Sequence, residues 1–286
     1  MRLHLVDGTY ELFRAHYSKR PDHATPDGTD GKAILGLVQS LLALVADPKE
    51  QVTHLGVAFD NPIRSFRNEL FAGYKTEEGI DPALWAQFDG AEVAVRALGV
   101  TVWSMDRWEA DDALATAAAR WAGSVDQVRI LTPDKDLGQC IVGRRVVQVD
   151  RMRQKEYDEE ALVALRGIRP ASIPDWLALT GDDADGVPGL PGFGAKSAAA
   201  VLAAFGHLEA IPDDPKRWPP SVRGADRLAK TLAGARAEAL LYRQLTRLVT
   251  DVPLAESFDD LAWRGPPKLG FDEWCERFGA TRLIRR

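Results

Sequence analysis

The chain has 286 residues, with 36 basic and 42 acidic side chains and a formal net charge of −6. This length accommodates one large hydrophobic core, or one core with a smaller attached domain. Two cysteines without a CxxC pair argue against a disulfide framework and a zinc site. No apolar run approaches the ~20 residues of a membrane helix, and the opening segment turns polar too soon for a secretory signal. We therefore expect a cytoplasmic protein with no membrane partner.

Apolar runs alternate with helical patterns in the first half of the chain. Five runs have the character of buried strands: residues 3–6, 54–60, 100–103, 127–132 and 145–149. Three segments have helical spacing: residues 33–45, 82–98 and 109–121. This alternation predicts parallel βαβ units. Beyond about residue 158 the pattern becomes helical, with one long helix predicted over 226–250. We predict an α/β domain over 1–165 and a helical region over 166–286.

Nine acidic residues follow the predicted strands or open the helices and turns. They are Asp7, Asp60, Glu109, Asp111, Asp112, Asp134, Asp136, Asp182 and Asp185. The carboxyl ends of parallel strands share one edge of a sheet, so we expect these acids to meet there. Carboxylates in this number repel one another unless a strong cation is present. Hard oxygen ligands favour divalent ions such as Mg²⁺ or Mn²⁺, which suggests a two-metal site.

Two considerations qualify the acidic pattern. Asp and Glu are also favoured at helix starts and in turns, so each block alone could be a simple cap. All the blocks together favour metal binding over helix capping. With nine acids assigned to metal, 33 others face 36 basic residues, so the net charge does not exclude a nucleic-acid partner.

A glycine-rich block over 187–206, VPGLPGFGAKSAAAVLAAFG, predicts two small helices joined by a tight turn. Its predicted DNA-binding residues are Gly189, Gly192, Gly194 and Lys196. Amides at such a helix start bind phosphate without reading bases. A P-loop does not fit, because Ala195 stands where glycine is required. The alternative is a turn that only packs two helices together.

A basic and aromatic block over 63–75, IRSFRNELFAGYK, follows Asp60. It places Arg64, Arg67 and Lys75 among aromatic residues. The cations could hold phosphates while the rings stack on unpaired bases. From the pattern alone, an amphipathic helix with a solvated face is the simpler interpretation.

These blocks together resemble the bacterial 5′-nuclease family. The matching segments are LVDGTYELFRAHY, AFDNPIRSFRNELFAGYK, WEADDALAT, ILTPDKDLGQ and LTGDDADGVPGLPGFGAKSAAAVL. They occur in that family's order and approximate spacing, over about residues 2–250. The family includes flap endonucleases and the 5′→3′ exonuclease domain of DNA polymerase I. The resemblance implies a PIN-like α/β fold with a central, mainly parallel sheet flanked by helices. It also implies a helical arch near 61–80 and a C-terminal helical region with a helix-hairpin-helix near 187–206.

The resemblance also assigns roles to single residues. It implies that one metal ion lies among Asp7, Asp60, Glu109, Asp111 and Asp112. Asp134 would lie between the two ions, and the second would be held by Asp136, Asp182 and Asp185. Arg67 and Lys75 match the basic residues that steer the scissile phosphate. Residues 187–197 match the helix-hairpin-helix that grips duplex DNA, often with a potassium ion held by backbone carbonyls.

The function implied is a structure-selective 5′-nuclease, acting as 5′→3′ exonuclease and flap endonuclease in DNA replication and repair. Its partners would be branched or nicked duplex DNA with a 5′ single strand, RNA/DNA primer junctions, and a separate DNA polymerase. The chain looks like a stand-alone, monomeric member. One departure is Glu78, which stands where the family's arch usually has arginine.

Two other functions are open to this sequence. One is a catalytically weak module that binds branched DNA, but such a protein would have lost acids of the second metal cluster. The other is a metal-dependent ribonuclease on a related acidic α/β fold, which would not need the helix-hairpin-helix.

Overall fold

The computed structural model describes residues 1–284. Within them, six strands form: β1 (Arg2–Asp7), β2 (His54–Asp60), β3 (Thr101–Met105), β4 (Gln127–Leu131), β5 (Val146–Asp150) and β6 (Lys155–Tyr157). The first six α-helices are α1 (Gly8–His16), α2 (Lys32–Ala46), α3 (Arg67–Leu70), α4 (Pro82–Trp85), α5 (Phe88–Ala97) and α6 (Ala110–Trp121). The others are α7 (Glu159–Arg166), α8 (Ile173–Thr180), α9 (Ala195–Phe205), α10 (Ala225–Gly234), α11 (Arg236–Thr246) and α12 (Lys268–Phe278).

The described chain forms two compact units. The sheet unit contains residues 1–64, 77–132 and the described residues from Thr250 onward. The helical unit contains residues 65–76 and 133–249. In this division β5, β6 and α7 cluster with the later helices, and the domain boundary near 165 stays a prediction. Each unit also contains a segment that is distant in sequence from the rest of it.

The sheet unit contains four parallel strands in the order β3-β2-β1-β4. Every residue of β2 is buried, as expected for a strand covered on both faces. Asp7 pairs in register with Ala58, and Asp60 pairs with Met105, so both acids lie at the carboxyl ends of their strands. The predicted α/β class, with a mainly parallel sheet flanked by helices, is confirmed.

A buried glutamine interrupts the single helix that was predicted over 82–98. The structure has two helices there, α4 and α5, with Gln87 between them. The side-chain oxygen of Gln87 accepts hydrogen bonds from the backbone N–H groups of Ala33 and Ile34, at 3.0 and 3.3 Å. Gln87 therefore satisfies the first amides of α2, which have no partner within their own helix.

The segment after Thr250 belongs to the sheet unit through long-range hydrogen bonds. Thr101 Oγ1 donates to the carbonyl of Asp260 at 2.8 Å, and Trp103 Nε1 donates to Glu256 at 2.9 Å. Arg120 donates to the carbonyl of Leu254 at 2.9 Å. These contacts connect β3 and α6 to residues more than a hundred positions away, so local patterns carry no signal for them.

The helical unit combines the antiparallel pair β5–β6 with α3 and α7–α11. Leu177, Leu179, Val201, Leu202 and Leu228 belong to its buried core. The long helix predicted over 226–250 is divided into α10 and α11. The division occurs at Ala235, whose φ of −127° and ψ of 28° are not helical. Gly234 directly precedes it and weakens the helix locally. None of the helices between residues 1 and 284 has the length and apolar character needed to cross a membrane.

Glu50 stabilises the sheet unit through its contacts with His4 and Arg129. Its carboxylate lies 3.0 Å from Nε2 of the buried His4 and 3.0 Å from Nε of Arg129. The hydrogen bond with His4 and the charge of Arg129 lower the pKa of Glu50 to about 2. Because this folded-state pKa is lowered, the stabilisation is present above about pH 4.5 and lost as the pH falls towards about 2.

We expect Glu50→Gln to lower the free energy of unfolding by about 1–2 kcal/mol at pH 7, and by much less near pH 2. Urea denaturation at the two pH values measures this difference. Glu273→Gln, at an exposed position on α12, is the matched control and should change neither value. An equal loss at both pH values would contradict an ionic origin.

Candidate metal centre and nucleic-acid interface

Two of the predicted metal ligands lie at strand ends in the sheet unit. Asp7 ends β1 and caps α1, with Oδ1 accepting from the backbone N–H of Tyr10 at 2.8 Å. Its Oδ2 accepts from Thr132 Oγ1 at 3.0 Å. Asp60 ends β2, and its Oδ1 accepts from the N–H of Ala110 at 2.8 Å. This last bond ties the start of α6 to the carboxyl end of β2.

The other acids of the sheet unit open α6, which packs against β1, β2 and β3. Glu109 directly precedes the helix, and its backbone N–H donates to Asp112 Oδ2 at 3.0 Å. Asp111 lies in the same first turn. Glu109 and Asp112 are buried. Asp7 and Asp112 therefore do cap helices. Capping uses only some of the oxygen lone pairs of each carboxylate, so the same side chains can also bind a metal ion.

The helical unit gathers three of the predicted ligands into a carboxylate trio: Asp136, Asp182 and Asp185. One oxygen from each lies within 4.8 Å of the others. Asp136 stands in a 3₁₀ turn, Lys135–Cys140, which Asp134 caps by accepting from the N–H of Asp136 at 2.8 Å. Asp182 and Asp185 lie on a tight turn over residues 182–187, hereafter the acid hairpin. It is closed by two backbone hydrogen bonds of 2.8 Å between Asp182 and Val187.

The trio has the chemistry of a divalent-metal site. Asp136 is 4% exposed. Within the described residues, its Oδ1 is buried and has no hydrogen-bond partner. Burial raises the pKa of Asp136 well above its ordinary value, and the charges of Asp134, Asp185 and Asp182 raise it further. A hard divalent cation would satisfy the orphaned oxygen and offset this repulsion, so the residues present fit such an ion.

Two lysines pair with the trio. Lys135 Nζ lies 2.5 Å from Asp182 Oδ2, and Lys75 Nζ lies 3.4 Å from Asp185 Oδ1. Lys75 was predicted from its match to a basic family residue. Lys135 was missed, although a lysine between Asp134 and Asp136 is the signal that could have found it. Both lysines are partly exposed, so both are able to change partners.

The segment predicted as a helical arch, residues 61–80, contains one α-helix in the structure, the four-residue α3. Two of its three predicted basic site residues, Arg67 and Lys75, differ in environment. Arg67 is 1% exposed, and its guanidinium donates to the carbonyls of Leu245 and Arg247 at 2.7 and 3.0 Å. Lys75 is beside the trio instead. The geometry of Arg67 favours a role in holding residues 65–76 against the end of α11, and its catalytic role stays a prediction.

Lys75 is held on the acid hairpin by several bonds. Its backbone N–H donates to the carbonyl of Asp185 at 3.1 Å, and the Tyr74 hydroxyl donates to Asp185 Oδ2 at 3.4 Å. Tyr74 is buried together with Val187 and Leu245. The position of Lys75 relative to Asp185 is therefore set by both backbone and side-chain contacts.

Arg64 and Glu78 are surface residues of the sheet unit. Arg64 is exposed and pairs with Glu77, at 3.2 Å between Nε and Oε2. Glu78, the residue that departs from the family pattern, is also exposed. The acidic pair at 77 and 78 leaves this part of the segment less basic than the family pattern implies.

The helix-hairpin-helix consists of α8, a glycine turn over residues 188–194, and α9. The predicted block over 187–206 contains the turn and the second helix, whereas the first helix precedes it. Leu190 N–H donates to the carbonyl of Leu179 at 2.9 Å, which docks the turn on the end of α8. Gly189 has a φ of +69°, and a Cβ there would lie 2.4 Å from the nitrogen of Gly181. Only glycine fits this approach.

The start of α9 presents the features expected of a phosphate site. Gly194 is the N-cap, and its backbone N–H donates to Ser197 Oγ at 3.0 Å. Gly192, with a φ of +88°, and the exposed Lys196 flank this residue. The first turn of α9 has no acidic residue that would repel an anion. The turn and helix start are therefore suited to a phosphate group.

Comparisons with known proteins give one consistent family. Profiles described as 5′-3′ exonuclease, N-terminal resolvase-like domain, and 5′-3′ exonuclease, C-terminal SAM fold, match residues 2–167 and 168–268. The chain is 30% identical over 266 residues to a 5′-3′ exonuclease of Aquifex aeolicus, covering 92% of this chain and 87% of that protein. It is 34% identical over 264 residues to DNA polymerase I of Mycobacterium leprae, covering 91% of this chain. It spans 28% of that polymerase's length.

Among solved structures, the fold is similar to that of bacteriophage T5 flap endonuclease in a complex with DNA and metal ions. The TM-score is 0.66 at 17% sequence identity, and the alignment covers 100% of both chains. At this identity the likeness concerns the fold. Together with the profiles and the Aquifex relative, it confirms the family expected from the sequence blocks. The chain belongs to the 5′-3′ exonuclease family.

Proposed function

We propose that this protein is a divalent-metal-dependent, structure-selective nuclease that hydrolyses phosphodiester bonds where a 5′ single strand meets duplex DNA. The observation that carries the proposal is the trio of Asp136, Asp182 and Asp185, with an orphaned buried oxygen on Asp136 and Lys75 paired with Asp185. The bacteriophage T5 relative, solved with DNA and metal ions, supports it.

The proposed chemistry uses two ions of the Mg²⁺ or Mn²⁺ class. Bound ions would lower the pKa of a water and stabilise the leaving 3′ oxygen. In the helical unit, the trio would hold one ion, with Asp134 as a further ligand beside it. In the sheet unit, the second set of ligands would be Asp7, Asp60, Glu109, Asp111 and Asp112. Asp7, Asp60 and Asp112 each accept a hydrogen bond from a backbone N–H at a helix start, which fixes their orientation.

Lys75 is proposed to bind the scissile phosphate and to stabilise the charge that develops on it. Its side chain is 22% exposed, and its Nζ lies 3.4 Å from Asp185 Oδ1 at the edge of the trio. Arg67 is proposed to hold the segment that carries Lys75 in place, because its guanidinium already donates to the carbonyls of Leu245 and Arg247. Arg64 would contribute to the DNA surface only after leaving its exposed ion pair with Glu77.

The glycine turn and the start of α9 are proposed to hold the duplex backbone. Amides near Gly192 and Gly194, with the charge of Lys196, would contact phosphates without reading the sequence. Carbonyls of the same turn would hold a potassium ion. Binding through phosphates predicts affinity that falls steeply with salt.

We also propose that the substrates are 5′ flaps, nicks and RNA-primer junctions in DNA replication and repair, with a DNA polymerase as a working partner of the monomeric nuclease. Matches to part of DNA polymerase I support that partnership. The decisive assay uses a duplex with a labelled 5′ flap and, as comparison substrates, a blunt duplex and a single strand. Cleavage near the junction, dependent on Mg²⁺ or Mn²⁺ and abolished by EDTA, is expected. Tight binding with no cleavage under either metal would instead favour a branched-DNA-binding module.

Lys75→Met should lower flap cleavage at saturating DNA by roughly 100-fold, because it removes a cation from the developing charge. Lys155→Met, on the exposed strand β6, is the matched control and should retain full activity. Flap affinity measured with Ca²⁺ should change little in either variant. Equal cleavage by both variants would remove Lys75 from the proposed chemistry.

A further inference from the structure

Lys135 occupies a position that the metal chemistry leaves unexplained. Its Nζ lies 2.5 Å from Asp182 Oδ2, in the turn between Asp134 and Asp136. Asp182 is 5% exposed at its side chain, so this ion pair is largely shielded from water. The other carboxylate oxygen of Asp182 accepts from the N–H of Ala184 at 3.2 Å. Both oxygens of this trio member therefore have a partner within the protein.

The ammonium group of Lys135 is a positive charge held directly against a carboxylate of the trio. A divalent ion on the trio would lie within a few ångströms of this ammonium. Two cations at such a distance repel strongly, particularly where water is scarce.

The side chain of Lys135 is also able to move away from Asp182. Its side chain is 32% exposed, so the flexible four-carbon stem can carry the ammonium group into solvent. Asp136 and Asp185 have no such freedom, because Asp136 is buried and the backbone of Asp185 is bonded to Lys75. Displacement of Lys135 is thus the smallest rearrangement that opens Asp182 to a metal ion.

We propose that Lys135 is a built-in counter-ion that competes with the divalent ion for Asp182, so that metal binding to the trio is an exchange of ammonium for metal. This inference rests on the proposed function only in taking the trio as a metal site. The exchange has two consequences. Lys135 stabilises the metal-free protein by offsetting the repulsion among the acids, and it weakens metal binding by the same interaction.

The test is calorimetric titration of the full chain with Mn²⁺ in the absence of DNA. Lys135→Met should tighten one Mn²⁺-binding step by roughly tenfold, because the competing charge is gone. It should also lower the melting temperature without metal and enlarge the rise in melting temperature that Mn²⁺ produces. Lys135→Gln keeps a hydrogen-bond donor for Asp182 without the charge and should tighten binding as well. It provides the measurement if the methionine variant does not fold.

Two controls make the result specific to the ion pair. Lys155→Met removes a lysine from the same unit and should leave Mn²⁺ binding unchanged. In an Asp182→Asn background, Lys135→Gln should no longer tighten binding, because the shared carboxylate is gone. Unchanged or weaker Mn²⁺ affinity in the folded Lys135 variants overturns the proposal, as does the absence of Mn²⁺ binding in every variant. Failure of flap cleavage with tightened Mn²⁺ binding would contradict the proposed function and leave the exchange standing.

Discussion

Replacing Asp136 with asparagine should make the metal-free protein more stable by about 1–2 kcal/mol while lowering flap cleavage by roughly a thousandfold or more. The stability gain is expected because Asp136 is buried and its pKa is raised by burial and by three neighbouring aspartates. Asparagine keeps the shape and removes the repelled charge. The activity loss is expected because Oδ1 of Asp136 is buried without a hydrogen-bond partner, and it is the oxygen that a bound metal ion would satisfy. One substitution thus separates folding from function.

The stability gained by Asp136→Asn should depend on pH. A carboxyl whose folded-state pKa is raised destabilises the folded protein once the pH exceeds its unfolded value of about 4. Below that pH both Asp136 and its asparagine replacement are neutral. The stability advantage of Asp136→Asn should therefore be small at pH 3.5 and should grow as the pH rises towards 7.

Calorimetric melting without metal measures the stability gain, and cleavage of a labelled 5′-flap duplex with Mn²⁺ measures the loss of activity. Asp183→Asn is the matched control, since Asp183 lies exposed on the acid hairpin. It should change neither stability nor cleavage appreciably. An Asp136→Asn protein that is less stable than wild type at pH 7 without metal would show that the repulsion is already compensated in the folded protein.

The strand ends illustrate what could be predicted from sequence. Apolar runs that finish in Asp7 and Asp60 have the period and length of buried strands, and the parallel arrangement brings their carboxyl ends to one edge. The acids on α6 are also predictable, because Glu109 and Asp112 lie three apart at a helix start. For these residues, local pattern and global fold agree.

Arg67 and Lys75 show where pattern stops being informative. They lie in one short basic segment, yet one is buried against carbonyls of α11 and the other borders the carboxylate trio. The difference depends on which distant residues pack around each side chain. The same is true of the division between α10 and α11, where a single non-helical residue, Ala235, changes a long amphipathic pattern into two helices.

The acid hairpin joins three functions in a few residues. It holds Asp182 and Asp185, receives the backbone of Lys75, and leads directly into the glycine turn that docks on α8. Such a tight connection requires close backbone approach. At Gly186, with a φ of +71°, a Cβ would lie 2.2 Å from the carbonyl oxygen of Gly73. Glycine at this position lets the segment carrying Lys75 lie against the hairpin.

Gly186→Ala should therefore lower flap cleavage by roughly 100-fold, because a shift of about 1 Å separates Lys75 from the trio. Duplex binding in Ca²⁺ should change little, since the glycine turn lies outside the contact. Gly143→Ala is the matched control: its φ of +50° is also positive, but nothing lies within 4 Å of a Cβ there. That variant should show only the cost of the backbone conformation, about 1 kcal/mol in unfolding free energy, with cleavage intact. Equal cleavage by the two alanine variants would mean that the approach of Gly186 to Gly73 does not position Lys75.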